Sequence, residues 1–202
     1  MYTLYFSPGT CSLATHVLMN ELKLEINLIE KSKVDQFENI NPAETVPVLG
    51  VDKILIQEGA AIALFLMEKH KSNLLPESPE SRSKAIQWMM FANASVHPAY
   101  SKLFFAAQNI SNAEAKAEVI ESAAKRVNEL WSIANDQLGK TKYLTGDNIS
   151  MADIMLSVYA NWNNYFPGKI QLGDNSLRMI KDASSRESFK KSIQTEKIKF
   201  NV

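Results

Sequence analysis

The largely apolar run over positions 2–6 reads as a first strand, and apolar and polar residues alternate at period two over 25–30, which predicts a second. Between them, positions 12–22 switch to helical spacing, with Leu13, Val17 and Leu18 on one side and His16 and Asn20 on another. Val46-Pro47-Val48-Leu49 and Lys53-Ile54-Leu55-Ile56 flank Gly50-Val51-Asp52 and read as a hairpin turning at those three residues. Helical spacing returns over 59–70, with Ile62, Phe65 and Leu66 inward. The order is therefore β-α-β followed by β-β-α.

The pattern changes after Leu74-Leu75-Pro76-Glu77-Ser78-Pro79, a proline-punctuated linker. No strand signal follows it. Positions 81–108, 112–138 and 150–166 carry helical periodicity, and two shorter helices follow Asn175 and Arg186. The predicted fold is an α/β domain over residues 1–75 joined to an all-α helical-bundle domain over 82–202.

Composition narrows the class. The chain has 202 residues, enough for a real core, with a 46% apolar and 22% charged share that is ordinary for a globular protein. Twenty-two basic residues balance twenty-two acidic ones, so no global field favours nucleic acid or an anionic membrane. A single cysteine cannot form an internal disulfide, which fits a reducing compartment. The first twenty residues lack a basic start and are broken by Pro8 and Gly9, and the longest apolar stretch is too short to span a bilayer. The expectation is a soluble, cytoplasmic protein.

Three segments carry candidate chemistry. Cys11 follows the Ser7-Pro8-Gly9-Thr10 turn where a helix begins, and free N–H groups there favour a thiolate and a lowered pKa. A small buried residue is the alternative. No cysteine stands three positions on, where Ala14 lies, so an autonomous dithiol enzyme does not fit. Pro47 interrupts a strand pattern, which a cis Val46-Pro47 bond or an ordinary trans edge proline would each accommodate. Glu58 and Gly59 open a helix, either as an anion- and ammonium-binding corner or as a plain dipole partner.

Together these segments resemble the glutathione transferase family, and most closely its bacterial beta class. Ser7-Pro8-Gly9-Thr10-Cys11-Ser12-Leu13, Asn41-Pro42-Ala43-Glu44-Thr45-Val46-Pro47-Val48-Leu49 and Glu58-Gly59-Ala60-Ala61-Ile62 match its ordered motifs. So does Ser95-Val96-His97-Pro98-Ala99-Tyr100-Ser101-Lys102-Leu103-Phe104 in the second half. Thr145-Gly146-Asp147-Asn148-Ile149-Ser150-Met151-Ala152-Asp153 resembles its helix start, where a Ser150–Asp153 capping box explains every residue as folding.

The resemblance implies a thioredoxin-like first domain, glutathione as co-substrate, no metal, and a homodimer acting on small hydrophobic electrophiles. Val46 would pair with the cysteinyl part of glutathione, Pro47 being cis. Glu58 and Gly59 would hold its γ-glutamyl end, and Lys33, in competition with Lys31, its glycyl carboxylate. Cys11 and His97 would meet the sulfur, and Tyr100, Phe104 and Trp162 would line the electrophile site. His16 and His70 match no functional position and read as helix-face residues.

Phe6, Met90, Ala94 and Pro98 depart from the class pattern, where a tyrosine, an asparagine, a small hydroxyl residue and a lysine are usual; Asn93 could restore one lost contact. The implied activity is conjugation of glutathione to electrophiles in detoxification. Glutathione-dependent thiol or peroxide chemistry through a Cys11 mixed disulfide, and ligand binding without turnover, are the alternatives.

Overall fold

A computed structural model describes residues 1–202. Strand β1 (Tyr2–Phe6) leads through helix α1 (Ser12–Glu21) to a parallel strand β2 (Ile26–Glu30). Strands β3 (Val48–Val51) and β4 (Ile54–Gln57) then add antiparallel, giving the order β2-β1-β3-β4, and helix α2 (Gly59–Lys69) closes this half. Leu4 pairs with Leu49, and both are fully buried on the face of the sheet that they share.

The hairpin turn lies later than the sequence pattern predicts. Gly50 and Val51 remain in β3, and the turn falls on Asp52 and Lys53 with Asp52 at φ +52. Asp tolerates the left-handed region better than most residues, and the shift keeps Val51 buried. β3 itself starts only at Val48, since Pro47 has no N–H to donate to a ladder.

The helical half comprises α3 (Pro79–Met90), α4 (His97–Asn109), α5 (Ala113–Leu138), α6 (Met151–Ala160), α7 (Asp174–Ser185) and α8 (Glu187–Glu196). The single helix expected over 81–108 is two helices joined by a wide π turn, Phe91–Val96. Pro98 explains the break: it cannot donate to the preceding turn and its ring crowds that turn's carbonyl, so it is accommodated in the first turn of α4. Likewise α6 ends at Ala160 and passes into a 3-10 turn, Asn161–Tyr165, over a stretch rich in asparagine.

Residues 12–19 of α1 are buried without exception. One side of this helix packs on β1 and α2, the other on α6 and α8. A single core of 45 buried residues therefore runs through both halves. That arrangement overturns the helix-face reading of His16, which is buried, whereas His70 lies outside and meets the Tyr2 hydroxyl at 2.8 Å. No helix is long and apolar enough to cross a membrane.

Candidate functional site

The turn after β1 is knotted by short-range hydrogen bonds. Thr10 donates its N–H to the Ser7 carbonyl at 3.3 Å, with Pro8 second and Gly9 third at φ +70, a left-handed position that suits glycine. Hydroxyls of Thr10 and Ser12 donate to the same carbonyl at 2.9 and 3.1 Å. This delivers Cys11 to the cap of α1, where its thiol donates to the Val46 carbonyl at 3.4 Å.

Helix position alone predicts an acidified thiol, but the structure gives the opposite. Burial pushes the Cys11 pKa up to about 11, outweighing the backbone N–H groups of Cys11 and Ser12, and the Glu58 charge adds to the rise. At neutral pH the group is a thiol. Its alkylation by iodoacetamide should therefore keep accelerating through pH 10 without a plateau, followed by mass spectrometry; a plateau near pH 8 would contradict the buried-thiol assignment.

Two cavities meet at Cys11 and His97. One, of about 290 Å³, is walled by Val46, Pro47, Glu58, Gly59 and Asn93. The Val46-Pro47 bond is cis, and the Val46 N–H has no backbone partner. Glu58, just ahead of α2, sits at φ 67 and ψ 115, a backbone conformation that side chains rarely adopt. The other cavity, of about 540 Å³, is walled by Phe104, Trp162, Tyr165 and Phe166.

His97 is the first residue of α4, carried into place by the wide turn that also bears Asn93. Its ring stands edge-on to Tyr159 and Trp162, each at 5.5 Å. Burial lowers its pKa, with Glu58 opposing, so the imidazole is neutral at pH 7. Trp162 donates its indole N–H to the Gly9 carbonyl at 2.9 Å and meets Phe104 edge-on at 5.9 Å.

Tyr100 does not reach the cleft. It is fully buried, donating to Asn163 Oδ1 at 2.5 Å and accepting from Trp131 Nε1 at 2.8 Å. Tyr165 and Phe166 take the wall position instead, and Phe104 packs edge-on to both. The aromatic cluster Trp162-x-x-Tyr165-Phe166 is the signal that could have found them.

Neither lysine lines either of these two cavities. Lys33 is exposed and pairs with Glu30 at 3.5 Å. Lys31 donates to the Glu44 carbonyl, one residue from Thr45 on the smaller cavity's wall, and its ammonium lies 5.2 Å from the Phe37 ring centre. Of the departures, Phe6 packs beside His16 at 6.4 Å, Ala94 is exposed, and Pro98 edges the smaller cavity. No group of three His, Cys, Asp or Glu side chains is placed to hold a metal ion.

Residues 85–178 match the family model for the glutathione S-transferase C-terminal domain. A Xanthomonas campestris pathovar campestris protein named glutathione S-transferase GST-4.5 is 28% identical over 165 residues, which are 79% of this chain and 81% of that one. Among solved structures, a glutathione S-transferase from Xylella fastidiosa superposes with a TM-score of 0.90 at 24% identity, over 98% of this chain and 100% of that one. The ternary complex of BphK, a bacterial glutathione S-transferase, superposes at 0.85 with 26% identity, over 97% and 100%.

Proposed function

We propose that this chain is a glutathione S-transferase, as its likeness to that family over most of its length supports, and that it joins glutathione to small hydrophobic electrophiles at the junction of its two cavities. One observation carries the reading: a cavity with a free main-chain donor and a carboxylate opens, at Cys11 and His97, onto one lined with aromatic rings. A peptide-like thiol and an apolar partner would meet there.

In this reading glutathione lies extended against Val46, whose N–H pairs with its cysteinyl residue. Glu58 accepts from the γ-glutamyl ammonium, while Gly59 and the free N–H groups at the start of α2 take the adjoining carboxylate. Lys31, anchored beside Thr45, is a better partner for the glycyl carboxylate than Lys33, which faces solvent. The glutathione sulfur then lies between two neutral groups. His97 accepts its proton, directly or through water, and the Cys11 S–H donates a hydrogen bond to the resulting thiolate. The thiolate attacks the electrophile held by Phe104 and Trp162; a C–S bond forms, and any leaving group departs with its electron pair.

A protonated Cys11 disfavours the mixed-disulfide reading, because thiol–disulfide exchange runs through the thiolate. Cys11→Ala should keep conjugation of a halonitroarene within about tenfold of the parent, losing one hydrogen bond. Abolished conjugation would instead make Cys11 an obligate nucleophile. A third reading, binding without turnover, draws on Met90, Ala94 and Pro98, and predicts glutathione binding with no conjugation across a broad electrophile panel. We further place the chain in the bacterial beta class, as a cytoplasmic homodimer, on the motif around Cys11; light scattering checks the dimer.

A further inference from the structure

The two peptide groups that flank the Gly9 Cα are each gripped by a residue more than 150 positions away. Its N–H donates to Glu196 Oε2 at 3.0 Å, across 187 positions, and its carbonyl accepts from the Trp162 indole at 2.9 Å, across 153. The second carboxylate oxygen of Glu196 meets His16 Nδ1 at 2.9 Å, and the Glu196 and His16 side chains are 0% and 3% exposed. Behind the turn, a methyl of Ile198 lies 3.6 Å from where a Cβ on Gly9 would stand.

Removing a carboxylate from water is costly, and apolar side chains would hold α8 against α1 at least as well. Apolar side chains could not accept the Gly9 N–H. With φ at +70, Gly9 is also the residue whose rotation would swing the turn, and hydrogen bonds to the peptide groups on either side of its Cα oppose that rotation. The same indole that holds the Gly9 carbonyl stands edge-on to His97 at 5.5 Å. Cys11 and His97 are thus both referenced to Trp162.

We propose that Glu196 and Trp162 are positioning residues that clamp the backbone on either side of Gly9 and so fix the Cys11 thiol relative to His97, with His16 holding the carboxylate in place. The consequence for turnover rests on the transferase reading above. The clamp itself does not.

As the only cysteine, Cys11 reports on the turn through its alkylation by iodoacetamide, with no substrate needed. Glu196→Met, which offers the Gly9 N–H no oxygen acceptor, and Trp162→Phe should each speed that alkylation roughly tenfold at fixed pH, the scale of one lost hydrogen bond. Phe189→Leu is the control, since Phe189 is buried on α8 and packs on Phe200 rather than on the turn. It should lower the melting temperature and leave alkylation unchanged. Alkylation within about twofold of the parent in both clamp variants overturns the proposal, as does equal acceleration in Phe189→Leu at a matched loss of melting temperature.

Should Glu196→Met fail to fold, Trp162→Phe carries the test alone. In the conjugation assay both clamp variants should lower kcat about tenfold, with the KM for glutathione held within about twofold. A parent protein that conjugates nothing would sink the transferase reading and leave the alkylation result to decide the clamp.

Discussion

Glu58→Ala should raise the KM for glutathione by roughly 30-fold, the scale of a lost hydrogen bond between charged groups. The expectation follows from where position 58 stands: at the smaller cavity's wall, ahead of α2, in a backbone conformation that costs stability in any residue with a Cβ. Alanine retains that cost, so the variant should fold about as well as the parent. Glu58→Gly removes the Cβ and should be as poor an enzyme, yet more resistant to urea by about 1 kcal/mol. Initial rates against glutathione, paired with urea melts, test both halves. An unchanged KM in Glu58→Ala would remove the γ-glutamyl assignment.

Asp153→Ala should cost about 4 kcal/mol of stability, the largest effect of any single substitution considered. Asp153 is fully buried and accepts from the Ser150 N–H at 2.8 Å, the Ser150 hydroxyl at 2.6 Å and the Leu144 N–H at 3.0 Å. Truncation strands three donors in a dry site at the start of α6, the helix that supplies the cleft residue Tyr159. Asp153→Asn keeps one acceptor in place and should lose about half as much. A chemical melt separates the two; an alanine variant within about 1 kcal/mol of the parent would mean that the capping contacts contribute little.

What the sequence made legible was whatever depended on near neighbours. The strand at Tyr2–Phe6, the helix opening after the Pro8-Gly9 turn and the capping residues Ser150 and Asp153 are all governed by contacts within a few positions. Gly50 drew the predicted turn two residues too early because glycine is the usual left-handed residue, whereas here Asp52 adopts that conformation. Three features needed the third dimension. Burial of Cys11 reverses the sign expected from its helix position. Burial of His16 follows from α1 being covered on both sides, which one helix's periodicity cannot reveal. Tyr100 points into the bundle because the wide turn before His97 changes the phase of everything after it.

That wide turn makes the aim of α4 a matter of counting. Each residue of an α-helix advances about 100° around the axis, so one residue more or less between Phe91 and Val96 would rotate His97, Tyr100 and Phe104 together by about that angle relative to α3. Deleting one residue there and profiling the accepted electrophiles would read this directly, with altered electrophile preference expected. The cavity that faces the electrophile can therefore be re-lined by a change in chain length outside it, leaving every residue of its wall chemically untouched.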